Sequence, residues 1–369
     1  MTSSGSRREL GAPPRLDSLD VFRGVTVAAM ILVSTPGTWD AVYPALEHAP
    51  WNGWTLADLV FPFFLFAMGA AVPFALARRK AAARRVHTHV VRRAVVLFGL
   101  GVLLNAIVTP PPLALLTLRI PGVLQRIAIV FAIVSSITQR LRTRTQMITA
   151  AAMLAGYWIV LKAAPMTAEH NIGAMLDQRV FGRHMLYPLW DPEGLLSTVP
   201  AIATALGGVF AGNWLKDGAD VGRTARLWAA GAAATLIGVA WSRVLPINKN
   251  LWTSSYALFT AGMAAQTLAI CHWIVDVRRW RRWAEPFIAF GRNALAAYFL
   301  SVGFDSVLTR WMATNGVSLK NSIYRAAFVP LLRPCCGAET ASLAYAIVYV
   351  AAWASVLMAM RRRRIFIAI

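Results

Sequence analysis

The feature that most constrains this chain is a series of apolar runs about twenty residues long, close to what an α-helix needs to cross a hydrocarbon layer. Ten can be drawn, near 19–36, 56–77, 94–110, 120–139, 146–164, 195–215, 226–244, 251–275, 285–304 and 341–360. Hydrocarbon cannot satisfy backbone N–H and C=O groups, so runs of this kind must be helical. The expected fold is therefore all-α: a polytopic membrane protein with about ten transmembrane helices. Composition agrees, with 57% hydrophobic and only 14% charged residues, against about 25% charged in soluble domains. No polar periodic stretch is long enough for a separate soluble domain. Residues 16–369 read as one transmembrane domain behind a disordered cytoplasmic segment, 1–15.

Charge supplies the orientation. A net charge of +21 would suggest nucleic acid in a soluble protein, but no nucleic-acid signature accompanies it and none is expected as a partner. The basic residues fall instead in segments between alternate apolar runs: Arg7, Arg8 and Arg15; Arg78, Arg79, Lys80, Arg84, Arg85, Arg92 and Arg93; Arg140, Arg142 and Arg144; Lys216, Arg223 and Arg226; Arg278, Arg279, Arg281 and Arg282; Arg361 to Arg364. Such segments stay in the cytoplasm. Both termini are thus expected there, in a multi-pass protein whose lipid bilayer is the inner (plasma) membrane. The N-terminal stretch lacks a signal-peptide apolar region. The opposite segments, near 37–55, 165–194 and 305–340, are longer and carry half of the acidic residues. No internal repeat is visible, which weighs against inverted-repeat transporters. Adjacent Cys335 and Cys336 lack the second pair that a zinc site needs. The histidines form no ligand group, so no metal is expected.

Ionisable groups inside a bilayer are costly and point to function. Asp20 and Arg23 lie three apart on one helix face, as a self-neutralising pair or as an anion site at the cytoplasmic mouth. Arg292 and Asn293 lie near the cytoplasmic end of the ninth run, where Arg292 is a second candidate for a phosphate contact beside Arg23. Gln125 and Arg126 sit in the outer half of the fourth run, and a buried arginine needs an anion or a ligand. Asp191 and Glu193 precede the sixth run, as dipole partners or as contacts for an amine or sugar hydroxyls. Asn248, Lys249 and Asn250 occupy a short outer linker, where a turn with a snorkelling lysine is the plain reading. His48 and Asn52 precede the second run, and Asp58 begins it. Asp58 suits a helix start. His48 is the natural proton acceptor near neutral pH. An anionic group from the cytoplasm and a polar group outside would suit these two sides.

Several stretches then occur in a telling order: RLDSLDVFRGVTVAAMILV, LEHAPWNGWTLADLVFPFFLFAMG, GVLQR, DPEGLLST, PINKNLW and RRRRIFIAI. Together, over nearly the whole chain, they resemble the transmembrane acyltransferase family of heparan-alpha-glucosaminide N-acetyltransferase and its bacterial relatives. The resemblance implies transfer of an acetyl group from cytoplasmic acetyl-CoA, a co-substrate, to the amine of a glucosamine-type sugar on the far side. It makes His48 the general base or a transient acetyl carrier, with Asp58 aiding deprotonation of the amine and Asn52 stabilising the oxyanion. Ser34 stands where the family places an active-site asparagine. Arg23, Arg126, Arg292 and Asn293 become acetyl-CoA contacts. Asp191, Glu193, Asn248, Lys249 and Asn250 become acceptor contacts, and a homodimer fits the family. Two other readings stay open: an amino-sugar transporter or permease, and O-acylation of a polysaccharide by the same histidine.

Overall fold

A computed structural model describes residues 16–81, 86–109, 115–311 and 316–367. The segment 1–15, expected to be disordered, lies outside the described residues. Each of the ten expected runs is helical, and no strand occurs among the described residues. The helices are α1 (Asp17–Ser34), α2 (Leu56–Ala81), α3 (Val86–Val108), α4 (Val123–Arg140), α5 (Thr143–Leu161), α6 (Ile172–Phe181), α7 (Thr198–Leu215), α8 (Val221–Trp241), α9 (Ser254–His272), α10 (Glu285–Arg292), α11 (Ala294–Ser306), α12 (Leu319–Ile323), α13 (Val329–Cys336) and α14 (Ala338–Arg362). Six of them, α2, α3, α4, α7, α9 and α14, are long and apolar enough to cross a membrane; α10 and α11 taken together make a seventh. Among the other expected spans, α1 carries Asp17, Asp20 and Arg23 within its 18 residues.

The centre of the bundle is the pair α2 and α7. Their membrane-length spans are 78% and 72% buried, whereas α3 and α14 are only 28% and 22% buried and turn most of their surface outward. Small residues let α2 and α7 approach this closely: a Cβ on Gly208 would lie 2.0 Å from the Phe66 carbonyl oxygen. Backbone-to-backbone contact of this kind replaces the hydrophobic drive that lipid cannot supply. Asp58, about two turns before Phe66 on α2, is fully buried. The crossing of α1 with α10 is equally tight. A Cβ on Gly291 would lie 1.9 Å from the Asp20 carbonyl oxygen, so the crossing sets Asp20 and Arg23 beside Arg292.

Two features depart from the expected helices. The ninth run is not one helix; α10 and α11 meet at Asn293 with a bend of 77°. Broken helices at membrane depth persist where they line a cavity, and this one presents Arg292 to such a cavity. The longer segments also hold helices of their own. Asn171 caps α6, its Oδ1 accepting from Ala174 N at 2.7 Å, and Ser318 caps α12 through Asn321 N at 3.2 Å. Both are ordinary N-cap residues.

On α6, Asp177 is 3% exposed and accepts from Leu195 N at 2.9 Å. Burial pushes its carboxyl from 3.8 up to about 6, against the pull of that hydrogen bond. A raised native value means that stability is fully present below pH 3.8 and falls as the pH climbs toward 6. Asp177→Asn keeps the acceptor without the buried charge. It is expected to unfold later than the wild type above pH 6 by about 2–3 kcal/mol, and to match it near pH 4 in detergent melts.

Candidate active site

The stretch Thr55–Asp58 folds as a helix start that also builds a site. Asp58 N–H donates to Thr55 O at 3.1 Å, and Thr55 N–H donates back to Asp58 Oδ2 at 3.0 Å. That reciprocal pairing is half of a capping box. Asp58 Oδ2 also accepts from Ala49 N at 3.1 Å, which draws the preceding loop over the helix end. The remaining oxygen, Oδ1, is left for His48 Nδ1 at 2.8 Å. An ionised carboxylate can only accept, so Nδ1 carries a hydrogen, and in the neutral ring Nε2 is the nitrogen with the free lone pair. The imidazole is 56% exposed above a carboxylate that is 1% exposed.

Lys249 completes the cluster from the loop before α9. Its Nζ lies 2.9 and 3.0 Å from the two ring nitrogens of His48 and 3.4 Å from Asp58 Oδ1. A cation equidistant from both nitrogens lies along neither lone pair; it sits over the ring face. The loop is fixed from within. Asn248 Oδ1 accepts from Leu251 N at 2.8 Å, and its Nδ2 donates to Asn52 Oδ1 at 3.1 Å, while Gly53 N–H donates to Ile247 O at 2.8 Å. Asn52 thus ties the two loops together, and Asn250 lies half-buried in the same turn. Trp252 takes a left-handed φ of 49°, strained for a bulky residue. This sets its fully buried ring edge-on to Phe61 and Tyr256, with Nε1 donating to Thr204 Oγ1 at 3.2 Å.

Burial draws Lys249 down from the ordinary lysine value, while the Asp58 carboxylate pulls it back up. The groups facing His48 are Asp58 and Lys249, with Glu193 and Arg126 close enough to act on Lys249.

A second charged group stands beside this one. Arg119 grips Asp191 with two hydrogen bonds, Nε to Oδ2 at 2.9 Å and Nη2 to Oδ1 at 2.6 Å, and Nη2 also meets Glu193 Oε2. Asp191 accepts further from Leu186 N at 2.8 Å and Glu193 N at 2.9 Å. Burial pulls the Arg119 guanidinium down, but the two carboxylates outweigh it and raise its pKa. Asp191, expected to face an acceptor, is instead saturated by protein donors. Arg119 carries no sequence signal of its own, and the expected site omits it.

Arg126 joins the same end. It is 1% exposed and donates through Nη2 to Gly194 O at 3.0 Å and Ser197 Oγ at 2.5 Å, with its guanidinium 5.2 Å from the Trp252 ring centre. Its Nε and Nη1 have no hydrogen-bond partner among the described residues. Ser34 lies elsewhere: it lines a separate cavity of about 580 Å³ with Asp40, Asp305 and Lys320, and makes no hydrogen bond to His48 or Asp58.

At the other end of the bundle, a cavity of about 300 Å³ is ringed by Arg23, Arg78, Arg93 and Arg292, with Asp20 among them. Asp20 lies 3.8 Å from Arg23 and 3.7 Å from Arg292. Arg93 lies over the Phe131 ring, 4.8 Å from its centre. Arg78 and Arg93, which the sequence presents as topology charges, are thus cavity residues. Deeper in, the walls are apolar: Phe64, Met68, Leu97, Ile127, Phe131 and Leu295. Phe64 is six residues from Asp58 on α2, ~9 Å along the axis, and Ile127 adjoins Arg126. Asn293 does not line the cavity; its Oδ1 accepts from Ile367 N at 2.9 Å.

Fold and site together define a multi-pass helical membrane protein with an exposed histidine on a buried carboxylate and an arginine-ringed cavity reaching toward it. Residues 15–161 match the family described as a domain of unknown function, DUF5009. Heparan-alpha-glucosaminide N-acetyltransferase of Homo sapiens is 27% identical over 380 residues, covering 84% of this chain and 56% of the human protein. Its counterpart in Mus musculus is 28% identical over 352 residues, covering 77% of this chain and 53% of its own length. The chain is a distant relative of that family, and spans little more than half the length of the curated relatives it matches.

Proposed function

We propose that this protein transfers an acetyl group from cytoplasmic acetyl-CoA to the amine of a glucosamine-type sugar on the opposite side of the membrane. The observation that carries this reading is the cavity. Four arginines ring one end of it, and its apolar interior runs to within about two helical turns of Asp58. CoA has the matching order of groups, with phosphates at one end and a slender arm ending in the thioester. Arg23, Arg78, Arg93 and Arg292 hold the phosphates, since guanidinium suits them. The arm lies along Phe64, Leu97 and Phe131. At its tip the acetyl carbonyl meets Arg126, whose two unpaired donors suit the oxyanion that forms there.

His48 Nε2 takes the proton from the acceptor amine as the nitrogen attacks the thioester carbon. The C–S bond breaks, and the sulfur leaves as the CoA thiol by taking that proton from His48. Asp58 keeps the imidazole in the required tautomer. Glu193 and Asn52 face the acceptor, and the buried Asn248 holds Asn52 from beneath. The basic segments support a reading in which the arginine end and both termini lie in the cytoplasm, with ten spans in the inner membrane and residues 16–369 acting as one unit. Ser34, outside the His48 cluster, takes no part in the chemistry.

The test is incubation of detergent-purified protein with radiolabelled acetyl-CoA and glucosamine, following label into the sugar. Transfer supports the reading. CoA binding without transfer to any amine or hydroxyl sugar removes the acceptor half, and absence of CoA binding removes the reading.

A further inference from the structure

The segment that follows α14 has no part in the chemistry described so far, yet it ends at the donor cavity. We infer that Phe366 and Ile367 are positioning residues of the donor site: they close its arginine end and hold Arg292 in the orientation that meets the CoA phosphates. This rests on the donor reading given above and adds a second layer of residues to it.

The turn that brings them there is specific. Arg364 N–H donates to Arg361 O at 3.0 Å, and Ile365 N–H donates to Met360 O at 2.9 Å. This is a Schellman turn, which glycine normally serves because its pivot residue is left-handed. Here the pivot is Arg364, at φ 58°. A non-glycine pivot is held against its own preference, so contacts beyond the turn must secure it. Those contacts are present. Ile367 N–H donates to Asn293 Oδ1 at 2.9 Å, at the bend between α10 and α11. The Phe366 ring lies under the Arg292 guanidinium, 5.7 Å from its carbon to the ring centre. Arg361 adds a clamp on the first residue of α10, donating to Glu285 O at 3.0 Å and pairing with its carboxylate. Ile367 itself is on the cavity wall.

The arrangement explains the fate of Asn293. Its carbonyl oxygen is spent on Ile367, so its link to the donor runs through the segment it anchors. It also explains how Arg292 stays aimed at the cavity although Asp20 lies 3.7 Å away. The aromatic face supports the guanidinium from the side opposite to the phosphates, without offering it a competing anion.

The experiment uses the full chain in detergent: wild type, Phe366→Ala, Phe366→Tyr and Ile367→Pro, which removes the N–H bonded to Asn293. CoA affinity is read by calorimetry, and KM and kcat for acetyl-CoA and glucosamine by label transfer. Phe366→Ala and Ile367→Pro are expected to weaken CoA binding about tenfold, the scale of a partly desolvated cation–π contact. The expected kcat and glucosamine KM are those of the wild type, and Phe366→Tyr restores the affinity. Wild-type affinity in both Phe366→Ala and Ile367→Pro overturns the inference while leaving the donor reading intact. Equal losses in Phe366→Tyr, or a matching rise in the glucosamine KM, mark a general structural defect and also overturn it. A wild type that binds no CoA removes the donor reading and this inference with it.

Discussion

His48→Ala is expected to lower acetyl transfer by about three orders of magnitude, within the range that a positioned general base contributes, and to leave CoA affinity unchanged. The separation of the two effects follows from the geometry. His48 is 56% exposed on its side chain, so its removal takes little buried area from the fold. The groups beneath it also stay paired, because Lys249 Nζ is already 3.4 Å from Asp58 Oδ1. No buried charge is left alone, which is the usual route from an ionic mutation to unfolding. The cavity arginines lie at the other end of the bundle and do not sense the change. Label transfer and CoA calorimetry on the same preparation check both halves. A variant that still transfers at more than a tenth of the wild-type rate would take the base role away from His48. The same preparation separates two routes. Wild type incubated with labelled acetyl-CoA and no sugar retains label on His48 only if the histidine carries the acetyl group itself.

What the sequence made legible follows the severity of the physical constraint. Hydrocarbon tolerates only helices across it, so apolar length alone marked all ten runs as helical, and six of them, or seven with α10 and α11 together, are long and apolar enough to cross a membrane. Local patterns were nearly as readable. Thr55 and Asp58 stand three apart, the spacing of a capping box, and such a spacing draws the residues before it, including His48, toward the carboxylate. Long-range partners were not readable. Arg119 lies 72 and 74 residues before Asp191 and Glu193, in a stretch with no charge pattern or period, and nothing but the folded chain joins them. Lys249 looked like a snorkelling side chain because a sequence does not say which way a lysine points. Arg78 and Arg93 sit in basic segments whose topological role explains their charge so well that a second use leaves no separate trace. The bend at Asn293 was hidden by hydropathy, which is continuous across α10 and α11, and the bend depends on contacts with α1 and with Ile367.

The other large effect concerns Arg119. Arg119→Met is expected to destabilise the protein by about 3–5 kcal/mol, the cost of leaving buried charge without its partner. Asp191 and Glu193 have side chains 0% and 9% exposed, so water cannot take over from the guanidinium. The four N–H donors on Asp191, two of them from Arg119, fall to two, from Leu186 and Glu193. The consequence reaches the candidate site because the same segment continues into Gly194 and Ser197, which hold Arg126. A loosened segment should therefore lower the rate along with the melting temperature. Charge is the cause argued here, so removing the carboxylates as well should reverse most of the loss. In the Arg119→Met background, Asp191→Asn with Glu193→Gln is expected to recover more than half of the stability in detergent melts, because neutral amides bury at lower cost. Recovery of stability without recovery of rate would assign the Arg119 triad to placing Arg126, since the fold would then stand while the guanidinium aimed at the acetyl carbonyl had lost its frame. If stability fails to recover, the shape of the guanidinium matters more than its charge, and the triad acts as a packed hydrogen-bonded unit.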